Sequence, residues 1–216
     1  MVRVSSLLLW CVVHRCCGCE VFVVVSAMRS GSTSLALRIA SRGGLEFLSE
    51  VRNGVGWVPE GRDLCSDPVG TLEEALEKHQ KAVVKVFPTH CDLHSRPEAL
   101  RSVLSLDRAC YVVLEREPAH RQCSLDWATQ HGDWSIDPSR HERFLNRTQL
   151  ERPPCAPEAT PEFQKEHHHW YDTVRNLLHT HNIPFLDINA DLYIQQSNDT
   201  YLDEVADHIL TNFSQE

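Results

Sequence analysis

Continuous apolar runs punctuate this chain and alternate with segments of helical periodicity. Residues 20–26 (EVFVVVS), 82–87 (AVVKVF) and 110–114 (CYVVL) are β-branched or apolar almost throughout. That pattern suits parallel strands buried on both faces rather than strands with one wet side. Residues 45–48 predict a short second strand, and 184–188 (PFLDI) a last one. Helical patterns fill the gaps. Residues 35–41 predict a helix stopped by Gly43-Gly44. Residues 71–81 open with Thr71 as N-cap and Glu74 three positions on, the spacing of a capping box. Residues 96–106 are amphipathic. Residues 118–129 carry Pro118 in the first turn, where a missing N–H breaks no helical bond. Residues 162–181 and 201–212 predict two closing helices. Residues 53–70, with four Gly and two Pro, read as loop, and 132–161, polar and Pro-punctuated, as an insert or lid. Strands alternating with helices predict an α/β fold, a three-layer α/β/α sandwich with a central parallel sheet. Ligands of such sheets bind at the carboxyl ends of the strands.

Composition changes this picture little. The 216 residues suit one domain, over 20–216, behind a leader segment at 1–19. Hydrophobic content of 42% with 24% charged residues excludes wholesale disorder. A formal charge of −9 argues against a nucleic-acid partner, yet it leaves room for a local basic pocket. The apolar run 5–13 behind Arg3 resembles the core of a signal peptide and is short for a bilayer span. Membrane association is therefore expected through the N-terminus alone. Three sequons, at Asn146, Asn198 and Asn212, fit the secretory pathway or Golgi, the alternative being a cytoplasmic chain with a ragged leader.

Nine Cys leave disulfides open, since connectivity is not legible in sequence. Cys16 and Cys19 have C-x-x-C spacing, but a second pair at zinc-finger spacing is missing. His167-His168-His169 point about 100° apart on a helix and cannot all share one ion, so they read as a surface or site-rim helix. No metal site is expected.

The chemistry concentrates after the first strand. Met28-Arg29-Ser30-Gly31-Ser32-Thr33-Ser34 joins that strand to its helix. Small residues let the backbone curl its N–H groups toward one point, and the helix dipole adds positive potential. Ser32, Thr33 and Ser34 add hydroxyls, and Arg29 adds a charged planar fork. The segment reads as a phosphate or sulfate cradle. It is not a Walker A loop, which requires a second Gly and a Lys. A second constellation follows the 110–114 strand. Arg116 leaves the strand end, Pro118 opens a helix, and Ser124 lies eight residues after Arg116, so both can meet one anion. The alternative for Arg116 is an ion pair with Glu115 or Glu117. Trp127 reads as a core anchor, and Arg121 as pointing to solvent or to the anion's edge.

These two motifs, in this order and on these strands, resemble those of sulfotransferases that use 3′-phosphoadenosine 5′-phosphosulfate (PAPS), particularly the carbohydrate type. The resemblance covers roughly residues 20–127, with a looser match to the last helix. It implies a P-loop NTPase-like sulfotransferase fold and the co-substrate PAPS. Arg29, Ser30, Gly31, Ser32, Thr33 and Ser34 would hold the 5′-phosphosulfate, and Arg116 and Ser124 the 3′-phosphate. The acceptor implied is a hydroxyl on a carbohydrate or glycolipid. Arg29 and Lys85 are the candidate catalytic cations, and Lys85 is a charged residue inside a buried run, which is costly unless it ends at a site. It resembles the strand Lys that the family places near the bridging oxygen, the alternative being a strand-end Lys that snorkels to water. Where cytosolic members carry a catalytic His, this chain has Phe87. Glu50, in 48–53 (LSEVRN), resembles the family's G-E-[VL]-x-N stretch, with Ser49 in place of Gly, and is the first candidate for general base. His90 is the second. Ser34 stands where cytosolic members often have a Trp stacked on adenine. Asp126, Trp134 and residues 141–147 are candidates for acceptor contact. Two rivals remain: a P-loop-like nucleotide phosphotransferase, and a binding module of the same fold without turnover.

Overall fold

The computed structural model describes residues 19–50, 63, 65–131, 155–194 and 199–214. A five-stranded, all-parallel sheet runs in the order β2-β3-β1-β4-β5. Its strands are β1 (Val21–Ser26), β2 (Glu46–Glu50), β3 (Ala82–Val86), β4 (Ala109–Glu115) and β5 (Phe185–Asn189). The helices are α1 (Ser32–Gly43), α2 (Pro68–His79), α3 (Pro97–Val103), α4 (Pro118–His131), α5 (Pro161–Thr180), α6 (Asp191–Ile194) and α7 (Asp199–Ser214), with a 3-10 segment at His90–Ser95.

Both faces of the sheet are covered, which is why its central strands are apolar without alternation. On one face Val21, Val23, Val25, Val84, Val86 and Val113 pack against Leu72 of α2, Leu100 and Val103 of α3, and Trp170, Tyr171, Val174 and Leu178 of α5. On the other, Phe22, Val24, Val83, Val112 and Leu114 meet Leu35, Ala36 and Ile39 of α1 and Leu202, Ala206 and Ile209 of α7. The expected three-layer α/β/α arrangement is the observed one. β1 lies at the centre between β3 and β4, so the turn after it sits where flanking strands can add side chains from both sides.

Several boundaries differ from expectation. Helix α2 starts at Pro68 and not Thr71, because Asp67 is its N-cap and accepts the Gly70 N–H at 3.0 Å. Thr71 lies inside the first turn, fully buried, and its hydroxyl donates to the Asp67 carbonyl at 2.7 Å. The end of the expected 53–70 loop is therefore helix. The helix expected over 96–106 is the shorter α3, and a 3-10 segment precedes it at His90–Ser95, with Cys91 and Asp92 at positive φ.

Three disulfides join described cysteines: Cys19–Cys110, Cys65–Cys91 and Cys123–Cys155. The first ties the entry of β1 to its neighbour β4. It also commits one half of the Cys16-x-x-Cys19 pair. Most of the expected leader, residues 51–62 and 132–154, and the sequon at Asn198 lie outside the described residues. Those stretches include Trp134, residues 141–147 and the sequon at Asn146. The sequon at Asn212 falls on the exposed side of α7.

Candidate functional site

The turn between β1 and α1 is built from two left-handed residues. Arg29 has φ 67° and Gly31 φ 78°, and Gly31 is the N-cap of α1. For glycine this conformation carries no Cβ penalty. For arginine it is uncommon and is held by its surroundings. Two such residues flanking Ser30 make an irregular turn of the kind from which backbone amides can converge on an anion. Ser32, Thr33 and Ser34 form the first turn of α1, so the cradle read from sequence is half turn and half helix N-terminus. Ser26 and Ser30 lie fully buried beneath it, and the Ser26 hydroxyl has no hydrogen-bond partner among the described residues.

Lys85 comes to this turn from β3. Its register partner in β1 is Val24, which puts it on the α1 side of the sheet. Its side chain is 2% exposed and its Nζ donates to Thr33 Oγ1 at 2.8 Å, between the rings of Phe47 and Phe87. Lys85 thus ends at the cradle and does not snorkel to water. The aromatic faces ease the burial of its charge. On its other side the register pairs Lys85 with Glu50, the last residue of β2. His90, the second candidate for general base, follows Phe87 by three residues. Its ring is buried against Phe87, and its Nδ1 accepts the Phe87 N–H at 3.1 Å, so it closes the turn after β3.

Arg116 and Ser124 reach the cradle from the opposite side. Arg116 Nη1 donates to the Arg29 carbonyl at 3.0 Å, and Arg29 Nε donates to Ser124 Oγ at 3.2 Å. Two motifs about ninety residues apart therefore interlock around one turn. Arg116 does not pair with Glu115 or Glu117. Its carboxylate is Asp191, at 3.4 Å from Nε. Asp191 opens α6 just past β5 and also accepts the Glu117 N–H at 2.7 Å and His120 Nδ1 at 2.9 Å. One buried carboxylate thereby orients the guanidinium and the strand-to-helix turn beside it.

Behind this crevice lies a second polar chain that the sequence reading missed. Arg121 does not point to solvent. Its guanidinium stacks 4.3 Å from the Phe163 ring centroid and donates to His167 Nδ1 at 2.7 Å. That leaves Nε2 of His167 as the N–H that donates to Glu115 Oε1 at 2.8 Å. Arg175 joins Glu115 to Asp187. Burial works to raise the Glu115 pKa, but the hydrogen bonds from His167 and Arg175 outweigh it and hold the carboxyl at about 2. His167 is fully buried, so the histidine tract is divided: its first member is core, and His168 and His169 are exposed. One turn on from His167, Tyr171 is fully buried as well. Its hydroxyl donates to the Leu114 carbonyl at 2.7 Å and accepts the Ala27 N–H at 3.0 Å.

A cavity of about 270 Å³ opens beside Arg116 and Ser124 along α4. Its walls include His120, Asp126, Trp127, Glu158 and the Cys123–Cys155 disulfide. Trp127 is a wall of this cavity rather than a core anchor. Asp191 and Tyr171 carry no motif, but each had a signal. Asp191 directly follows a strand end, where ligands of parallel sheets gather. Tyr171 lies on the apolar stripe shared with Trp170, Val174 and Leu178.

No protein-family model matches the chain, and no curated protein matches it in sequence. Among solved structures it is similar to a shikimate kinase from Acinetobacter baumannii (15% identity, 89% of this chain and 91% of that one, TM-score 0.43). It is also similar to deoxyadenosine kinase from M. mycoides (10% identity, 89% and 99% covered, TM-score 0.46). The shikimate kinase of Aquifex aeolicus is comparable (14% identity, 88% and 94% covered, TM-score 0.43). At these values the likeness is one of coarse architecture, and the chemistry of the site has to be argued from this chain's own residues.

Proposed function

We propose that the chain is a sulfotransferase that moves a sulfuryl group from PAPS to a hydroxyl of a carbohydrate or glycolipid. The observation that carries this reading is the interlocking of Arg29, Arg116 and Ser124 at the carboxyl ends of β1 and β4. It provides two cation-and-hydroxyl sets in one crevice, as a ligand with two separated anionic groups requires. The left-handed turn at Arg29 and Gly31 suits an oxyanion-rich group at the first of them.

When bound, PAPS supplies an activated sulfuryl group whose S–O bond to phosphate breaks as the acceptor oxygen attacks, the electron pair leaving with the bisphosphate. The chain's part is positioning and electrostatics. Backbone amides of the turn and the hydroxyls of Ser32, Thr33 and Ser34 hold the 5′ group. Lys85, buried and fixed on Thr33, faces the charge that develops on the departing oxygen. Arg116 and Ser124 hold the 3′-phosphate. Glu50, beside Lys85 in the sheet register, takes the acceptor's proton. The pairing of six cysteines in disulfides supports a secretory-pathway location. Among the described residues no helix is long and apolar enough to cross a membrane.

The test is titration calorimetry with adenosine 3′,5′-bisphosphate, followed by transfer of labelled sulfate from PAPS to a glycan panel. Binding that weakens in Arg116→Ala and turnover that vanishes in Glu50→Gln support the reading. Magnesium-dependent ATP binding without bisphosphate binding would replace it with a nucleotide phosphotransferase. Bisphosphate binding without transfer to any acceptor would leave a non-catalytic module.

A further inference from the structure

The donor site proposed above has two anion-binding halves on different strands, and their separation must match a ligand of fixed length. Arg116 sits two residues beyond Leu114 in β4, and Ser30 three beyond Ala27 after β1. Both strand ends are fastened to the same atom. The Tyr171 hydroxyl donates to the Leu114 carbonyl at 2.7 Å and accepts the Ala27 N–H at 3.0 Å. Tyr171 belongs to neither strand. It projects from α5, and its ring is fully buried against the sheet.

The rotation of α5 about its own axis is fixed one turn earlier and one turn later. His167 is held between Arg121 of α4 and Glu115 at the end of β4. Arg175 is held by Glu115 and by Asp187 of β5. Tyr171, at the midpoint of this i, i+4, i+8 series, therefore has little freedom to move its hydroxyl. A buried hydroxyl that bridges one donor and one acceptor is satisfied only while those partners keep their spacing, because an unmatched buried polar group is costly.

Resting on the donor reading, we propose that Tyr171 is a positioning residue: its hydroxyl sets the distance between the 5′ and 3′ anion sites and so couples the two halves of the donor. It touches no ligand atom. Its contribution should appear when both phosphates bind together and be nearly absent when either binds alone.

The experiment is calorimetry of the full chain with three probes: adenosine 3′,5′-bisphosphate, adenosine 5′-phosphate and adenosine 3′-phosphate. Three proteins are compared: wild type, Tyr171→Phe and Leu178→Ala. The last removes core contacts two turns along the same helix without touching the cradle and controls for lost stability. The proposal expects Tyr171→Phe to weaken the bisphosphate about tenfold and each monophosphate by no more than about twofold. Leu178→Ala should leave all three affinities within about twofold of wild type at a temperature where it is folded. An unchanged bisphosphate affinity in Tyr171→Phe overturns the proposal. So does an equal loss for all three probes, or a matching loss in Leu178→Ala. If wild type binds none of the probes, the donor reading falls first and this inference with it. If wild type binds them and Tyr171→Phe is indistinguishable, the donor reading stands and this inference alone fails.

Discussion

The guanidinium of Arg116, leaving the end of β4, donates through Nη1 to the backbone carbonyl of Arg29 at 3.0 Å. Arg29 is the left-handed residue of the β1–α1 turn, with φ 67°. In the proposed donor site, the cation assigned to one end of the ligand thus also stabilises the strained backbone of the loop assigned to the other end. The same guanidinium reaches Asp191 through Nε. Its fork is engaged in two directions, which a single ammonium on a flexible stem does not reproduce.

Arg116→Lys is therefore expected to behave like a loss and not like a conservative change. Bisphosphate affinity should fall about tenfold or more, with Arg116→Ala only modestly worse. Calorimetry of the two variants side by side decides it. If Arg116→Lys binds as tightly as wild type, charge alone suffices and the fork geometry is irrelevant.

Asp191 makes a separable prediction. It is 7% exposed and satisfies Arg116, the Glu117 N–H and His120. Asp191→Ala leaves a largely buried guanidinium without its carboxylate and a backbone amide without its acceptor. A cost of about 2–4 kcal/mol in unfolding free energy is expected, measured by urea denaturation. Asp191→Asn can still accept from the Glu117 amide and should cost less. Equal losses in the two variants would show that only the charge at this position matters.

The parts of this architecture that were legible in sequence are those where one pattern has one cause. Residues 21–25 and 82–84 read as buried strands because β-branched runs of that length fit little else, and both lie between two helical layers. The turn after β1 and the place of Arg116 just past β4 were legible because small residues and a strand-end arginine are local features. The N-terminus of α2 was misread because Thr71 and Glu74 match a capping box by spacing, whereas Asp67-Pro68 supplies the actual cap one turn earlier. His167 and Arg121 were misread because their environment is made by residues about fifty positions away, through the packing of α4 on α5. Local periodicity carries no trace of such a pairing. His90 shows the converse: the turn that fixes it is local, but its irregular backbone, with positive φ at Cys91 and Asp92, has no simple signature.

Lys85 separates binding from chemistry. It is buried with Nζ on Thr33, and the proposed role concerns only the departing oxygen. Lys85→Met preserves the stem and removes a buried charge. Stability should change by no more than about 1 kcal/mol, in either direction, because desolvation of the lost charge offsets its lost contacts. Bisphosphate affinity should stay within about threefold, while turnover falls by about two orders of magnitude or more. Stopped-time assays with labelled PAPS, alongside calorimetry, read both quantities. A parallel fall in affinity and turnover would assign Lys85 to ground-state binding instead.

Glu115 ties acid stability to the chain behind the site. Its carboxyl lies at about 2 in the folded protein against 4.5 as an ordinary carboxyl, because His167 and Arg175 outweigh the effect of burial. Arg121 buttresses His167, and Asp187 shares Arg175, so these four residues surround the group. The unfolded chain takes up the proton first as pH falls. Stability from this carboxylate is therefore fully present above about pH 4.5 and is lost as pH falls toward about 2. Because Glu115 is partly open to water, screening limits the effect to roughly 1 kcal/mol. Glu115→Gln should be less stable than wild type near neutrality, and the two unfolding curves should converge between those pH values. Urea denaturation at intervals of half a pH unit or so would trace the convergence. A gap that stays constant down to the acid limit would mean that Glu115 contributes by shape and hydrogen bonding alone, with no linkage to its ionisation.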